Sequence, residues 1–158
     1  MNIRNLIMSI GVLIFISGCA KKESVFITEN KIYSVALQHT KKSDIVKSLQ
    51  TKLIFIGTYL NYVDKSYDDE NHNFLVSVYI PDQNSTQKSD DYVIFYGCET
   101  VELLPLEETE MIYNNIPLKN HWAKYYRIKI PKDNQEFIKL DLETSDLNYA
   151  ILWFQVKN

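Results

Sequence analysis

The chain has 158 residues and a formal net charge of −3, from 17 basic and 20 acidic side chains. Basic residues form no block beyond the pairs Lys21-Lys22 and Lys41-Lys42, which excludes nucleic acid as a partner because phosphate recognition needs clustered Lys and Arg. Two cysteines exclude a disulfide framework, and 4 glycines and 4 prolines against 11 tyrosines, 7 phenylalanines and 2 tryptophans exclude a flexible stalk.

The amino terminus carries one charge, Arg4, before an apolar run from Leu6 to Ile16. A membrane-spanning helix needs about 20 apolar residues, so this shorter run reads as the hydrophobic segment of a secretory signal. It closes on Ile16-Ser17-Gly18-Cys19, an order that resembles the lipobox of bacterial lipoproteins. The resemblance implies cleavage before Cys19, a diacylglyceryl group on its sulfur and palmitate-type acylation of its amine. Residues 1–18 are then a cleaved signal peptide, 19–24 the lipidated cysteine and a short tether, and 25–158 a single domain. Each buried methylene contributes about 0.8 kcal/mol, so two or three acyl chains hold such a domain stably on a membrane. Ala20 stands where lipoproteins retained in the inner membrane resemble one another in carrying Asp, which implies the outer membrane in a cell that has two. Whether the domain faces outward or into the periplasm stays open. Removing residues 1–18 takes away only Arg4 among charged groups, leaving 16 basic and 20 acidic side chains on one domain-sized chain.

Along the mature chain period-two alternation dominates. "KIYSVALQH" (31–39) alternates Tyr33, Val35 and Leu37 with smaller or polar neighbours and predicts a strand. "SDIVKSLQT" (43–51) places Ile45 and Leu49 four apart behind Ser43, which fits a short helix or a strand with a crossing turn. "KLIFIGTYLNYV" (52–63) predicts a strand with Gly57 as a bulge, and "NFLVSVYIP" (73–81) one that alternates Phe74, Val76, Val78 and Ile80 until Pro81 stops it. "DYVIFYGCETVELL" (91–104) predicts one strand bent near Gly97 or two short ones, and "PLEETEMIY" (105–113) a helical turn or two. "WAKYYRIKIP" (122–131) puts Trp122, Lys124, Tyr126, Ile128 and Ile130 on one face and Ala123, Tyr125, Arg127 and Lys129 on a solvated one. "EFIKLDLE" (136–143) turns Ile138, Leu140 and Leu142 inward, and the apolar "YAILWFQVK" (149–157) reads as a central strand or one covered on both faces.

Seven or eight short strands with little helix predict a mainly β fold, an antiparallel β-sandwich. The scarcity of glycine argues against a tightly curved barrel. Strand count and length resemble small immunoglobulin-like envelope lipoproteins, although the Cys-Trp-Cys core of antibody domains is absent and only Tyr149 stands near a tyrosine-corner position.

The sharpest internal motif is Asp82-Gln83-Asn84-Ser85-Thr86. Asn84 fits the N-glycosylation acceptor pattern, with Thr86 two residues on. Asp82 matches the acid that bacterial oligosaccharyltransferases resemble one another in preferring. His39, His72 and His121 lack zinc-site spacing, and Asp64, Asp68, Asp69 and Glu70 lack the order of a calcium loop, so no metal or cofactor is expected. Cys98, inside a strand pattern, reads as a buried inert thiol. No nucleophile elbow or phosphate-binding glycine loop occurs, so the chain is read as not an enzyme.

Tyr59, Tyr62 and Tyr67 flank the acidic stretch, and Tyr125 stands two residues before Arg127. Exposed tyrosines give rigid contact area and suit peptide or sugar recognition, so these five residues are the expected binding surface. The function expected is a membrane-anchored, non-catalytic module for a protein or glycan partner. The rivals are a periplasm-facing structural or assembly factor engaging a partner through a sheet edge, and a carrier of a small apolar ligand.

Overall fold

The computed structural model describes residues 26–81 and 92–156. Cys19, the lipobox residues Ile16, Ser17 and Gly18, and the motif Asp82, Asn84 and Thr86 lie outside the described residues. The packing belongs to Lys31–Asn158, the second of two units into which the chain divides.

A helix, α1 (Phe26–Gln38), leads into β1 (Thr40–Lys47), β2 (Gln50–Tyr59) and β3 (Asn71–Tyr79). Then follow β4 (Tyr92–Tyr96), β5 (Glu99–Thr100), β6 (Leu104–Pro105), β7 (Lys124–Pro131), β8 (Phe137–Thr144) and β9 (Tyr149–Gln155). Two antiparallel sheets, β1-β2-β3-β7-β6 and β5-β4-β8-β9, pack face to face as a β-sandwich. An immunoglobulin sandwich puts its first, second, fifth and fourth strands in one sheet, whereas here the first three strands are consecutive neighbours.

The core follows from side chains that alternate across each strand. Leu53, Phe55, Phe74, Val76, Val78 and Ile128 come from the first sheet, and Ile94, Ile138, Leu140, Leu142, Leu152 and Phe154 from the second. The inward faces expected for residues 73–81 and 136–143 are those observed, up to Tyr79 where β3 ends. The first sheet is covered a second time on its outer face. There Leu75 of β3 packs with Ala36 of α1 and with Leu60, Tyr67, Ile112 and Ile116 from the short 3-10 turns Leu60–Tyr62, Lys65–Tyr67 and Met111–Asn115 and the residue after the last. Among the described residues the outer face of the second sheet has no such cover.

Several sequence expectations are corrected, and the open alternatives at 43–51 and 91–104 resolve to a strand with a turn and to two short strands. Residues 31–38 belong to α1 and not to a strand: Ile32, Tyr33 and Ala36 turn inward at helical spacing, while Leu37 is exposed. The Thr40 hydroxyl donates to the Ala36 carbonyl at 2.7 Å and ends the helix where β1 begins. Residues 43–47 lie in β1, with Ile45 buried, and Ser48 and Leu49 form the hairpin turn. Gly57 is no bulge, since its register runs unbroken to Lys41 and Val76; the irregularity falls at Ile45/Val46. Gly57 instead makes room for the opposite sheet, as a Cβ there would lie 2.7 Å from Leu152 and 2.9 Å from Phe154. Gly97 splits 91–104 into β4 and β5 by a two-residue turn, and its φ of +61° suits a residue without Cβ. That turn carries Cys98 to its tip, so the thiol is exposed and not buried.

The strand register gives the sandwich two ends. At one, Lys47 pairs with Gln50, Val78 with Lys124, and Tyr92 with Thr144. The β1–β2 turn and the β8–β9 turn therefore lie at this end, the turn end, while β7 begins short of them, level with Phe55 and Ser43. Ser43 of β1 reaches across to β9, its hydroxyl accepting from Ile151 N at 3.3 Å, so the two sheets meet along that seam. The end of β9, the end of β2 and the start of β1 converge at the opposite end.

Candidate functional site

The strand predicted to be covered on both faces is bare on one. β9 is an edge strand of the second sheet, and Tyr149, Ile151 and Trp153 project outward from it, with Trp153 57 % exposed. Tyr149 bonds Glu143 at the sheet surface and takes no part in a tyrosine corner. Beside this row β8 presents Lys139, Asp141 and Glu143, paired in register with Trp153, Ile151 and Tyr149. Val93 and Phe95 of β4 continue the rows on the far side. The charges are already satisfied: Lys139 pairs with Asp141 at 2.8 Å, and the Tyr149 hydroxyl donates to Glu143 at 3.0 Å, which raises the pKa of that phenol. The Lys139 ammonium stands 6.0 Å from the Trp153 ring centre.

The row runs down β9 into a cleft of about 240 Å³, where Phe154 and Gln155 meet Gln38 and His39 after α1, Lys41 of β1, and Tyr59 and Tyr62 at the end of β2. Rings dominate its wall. Tyr59 and Tyr62 meet edge to face at 4.9 Å, and Tyr62 meets His39 at 5.0 Å. Behind them Tyr59 contacts Phe74, which contacts Phe154. The Tyr59 hydroxyl shares a 2.9 Å hydrogen bond with His72 Nδ1, deep enough that His72 Nε2 is buried without a hydrogen-bond partner among the described residues. Burial, with help from Tyr62 and Asp68, raises the Tyr59 pKa well above its ordinary value. Burial and then Lys41 lower that of His39; burial lowers that of His72, with Lys132 adding and Asp133 opposing. Both imidazoles are therefore neutral at pH 7 and offer one donor and one acceptor each.

Of the expected binding residues, Tyr59 and Tyr62 line this cleft, with Tyr59 itself buried. Tyr67 and Arg127 are buried and Tyr125 is half-buried, away from this cleft, so they are not the exposed surface expected. They belong to a polar clamp on the covered face of the first sheet. Arg127 is buried and forms an ion pair with Glu110; it also donates to Asn73 Oδ1 at 3.0 Å and lies 4.7 Å from the Tyr67 ring. Asn73 in turn donates to the Tyr67 carbonyl and to Asp69. Tyr125 closes the loop before β7, accepting from Asn120 N at 2.6 Å and donating to its carbonyl. The face of β7 expected to be solvated is thus largely covered.

The acidic stretch organises its own backbone. Asp64 accepts from Ser66 N and Asp69 from Asn71 N, while Asp68 pairs with Lys132 at 2.7 Å. Among the described residues no three His, Cys, Asp or Glu side chains are grouped to hold a metal ion. His39, Lys41, Phe154 and Gln155 escaped sequence reasoning because the cleft draws them from separate elements. The exposed row of β9 escaped it because an apolar run does not say which of its faces is covered. Comparison with protein-family models, with curated proteins and with solved structures finds no match.

Proposed function

We propose that this chain is a lipid-anchored, non-catalytic binding module that lays a glycan chain along the outer row of β9 and takes its terminal ring into the adjoining cleft. The observation that carries the reading is the continuity of exposed Tyr149, Ile151 and Trp153 with the ring-walled cleft at Gln155. Flat rings stack on sugar faces, and Gln38, Gln155, Lys41 and neutral His39 supply hydrogen bonds to hydroxyls. At about 240 Å³ the cleft falls below the range of drug-sized pockets, so it suits one ring and not a whole ligand.

The charged residues between the rings favour a sugar over a protein. A dry protein interface would bury Lys139, Asp141 and Glu143 at a large desolvation cost. Hydroxyl groups donate and accept, and so replace the water that those side chains lose. A protein partner is the second reading, favoured by Ile151 and Val93, which add apolar area without a stacking face. Strand addition at a sheet edge is disfavoured: β1 carries Lys41, Lys42, Lys47 and an irregularity, and the far edge carries Pro105 and Pro131. A carrier of an apolar ligand is disfavoured by a core filled with Phe55, Phe74 and Phe154. Anchoring through Cys19 would concentrate the domain on a surface, so weak binding suffices.

The test uses Trp122→Phe, which leaves Trp153 as the sole tryptophan. Titration with neutral, N-acetylated and uronic-acid oligosaccharides is expected to give a saturable change in Trp153 fluorescence with one class. By calorimetry, Trp153→Ala should lose that binding by tenfold or more. Silence across all three classes, with envelope proteins cross-linking to this face, would replace the glycan by a protein partner. Protease shaving of intact cells tells outward from periplasmic display.

A further inference from the structure

We infer that the sugar ring received by the cleft bears a carboxylate, and that the ammonium of Lys41 is the group that reads it; this rests on the glycan reading above. Among the described residues that line the cleft, Lys41 is the one charged side chain, and no acid stands with it. Register sets its direction. Lys41 pairs with Gly57, and the face on which Gly57 lies is the one turned to Leu152 and Phe154. Paired residues share a face, so the lysine stem leaves β1 towards β9, with no side chain on Gly57 to stand beside it. Two residues on, the Ser43 hydroxyl accepts from Ile151 N and fixes this part of β1 against β9.

The acids on the neighbouring strands and turns are engaged elsewhere. In β1 Asp44 pairs with Lys42 at 2.9 Å, and in β8 Asp141 pairs with Lys139 at 2.8 Å. After β2, Asp64 accepts from Ser66 N, Asp69 accepts from Asn71 N, and Asp68 pairs with Lys132 at 2.7 Å. Asp133 accepts from the Tyr96 hydroxyl at 2.6 Å. Glu136 stands across β9 from Lys41, its carbonyl accepting from Val156 N on the β8 side. Lys41 itself forms no ion pair among the described residues. Burial and then Lys41 lower the pKa of His39, so the imidazole stays neutral and the ammonium remains the single charge of the wall. The matching ligand carries one negative charge on a body the size of one ring. A hexuronic acid does so: its ring stacks on the aromatic wall, its hydroxyls meet the amides of Gln38 and Gln155, and its carboxylate meets Lys41. A phosphate monoester carries about −1.5 to −2 charge at pH 7, more than one lysine neutralises.

The test compares ligands that differ at a single carbon. Oligomers of glucose and of N-acetylglucosamine are each prepared with one terminal glucuronic acid, and again with that carboxyl reduced to an alcohol. Calorimetry on the full chain at low salt should find the acidic cap bound about tenfold more tightly than its reduced counterpart, as expected of a charged hydrogen bond. Added salt should narrow the ratio, because the pair is open to water. Lys41→Met keeps the stem and should bring the ratio close to one, whereas Lys41→Arg should keep most of it. Lys41 is exposed, so both variants should unfold at the urea midpoint of the parent. Equal affinity for the two caps, with binding still lost in Trp153→Ala, overturns the carboxylate and leaves the glycan reading standing. A ratio that survives in Lys41→Met overturns the assignment to that residue. Tighter binding of a phosphate-capped oligomer overturns the carboxylate in favour of phosphate. Silence with every oligomer overturns both this inference and the reading on which it rests.

Discussion

Gly57 of β2 faces Leu152 of β9 across the sandwich so closely that a single added carbon would stand 2.7 Å from Leu152 Cδ1. The two sheets approach there because one strand has no side chain to interpose. Gly57→Ala must push Leu152 and Phe154 aside within a filled core, and overpacking of this kind costs about 1–3 kcal/mol. Urea unfolding is expected to show a lowered midpoint with an unchanged slope. A variant as stable as the parent would mean that the sheets slide apart freely.

Arg127 ties β7 to the loop that covers it. Arg127→Met keeps the side-chain volume but strands Glu110, Asn73 Oδ1 and the face of Tyr67. Glu110 is partly open to water, so the expected loss is that of charged hydrogen bonds, about 2–3 kcal/mol, and not of a sealed ion pair. Hydrogen exchange should rise in residues 107–116 and 65–73 before it rises in β8. Uniform destabilisation across the molecule would show that the clamp is part of the main core.

His72 makes stability depend on pH. Its folded pKa lies below the ordinary 6.5, chiefly through burial. Below pH 6.5 the unfolded chain therefore binds a proton that the folded chain refuses. The stabilisation is complete above pH 6.5 and is lost as pH falls through the folded value, with a slope of at most about 1.4 kcal/mol per pH unit. His39 adds in the same direction. His72→Asn keeps a partner for the Tyr59 hydroxyl and cannot titrate, so unfolding midpoints measured from about pH 7 down to about pH 5 should fall less steeply than in the parent. An unchanged slope would assign the effect to other groups.

Cys98 is expected to react with maleimide in folded protein as fast as a free thiol, because the Gly97 turn holds it in solvent. Lipidated protein, with Cys19 as a thioether, should take one label without denaturant; unprocessed protein should take two. Intact mass separates the cases. Slow labelling of Cys98 would mean that another surface covers this tip.

The inward rows of β3 and β8 were legible because one strand's alternation decides which of its side chains can share a face. Val76, Val78, Ile138 and Leu140 needed no knowledge of the rest of the chain. The helix at Tyr33 was misread because Tyr33, Val35 and Leu37 mimic alternation, whereas the contact that decides the matter is Ala36 against Leu60 and Leu75. The cleft was half legible: its tyrosines stood out, but Phe154 and His39 are far from them in the chain.

Local pattern by itself determined that this protein is an antiparallel β-sandwich, since strand periodicity, turn residues and scarce helix are properties of neighbouring residues. Only the tertiary structure decided which outer face is covered. α1 and the 3-10 turns close over the first sheet, burying Arg127 and Tyr67. The second sheet keeps its aromatic row open to solvent. The physical reason is that burial is a non-local quantity: an apolar side chain on a strand needs a cover, and its own sequence does not say whether the chain returns to provide one.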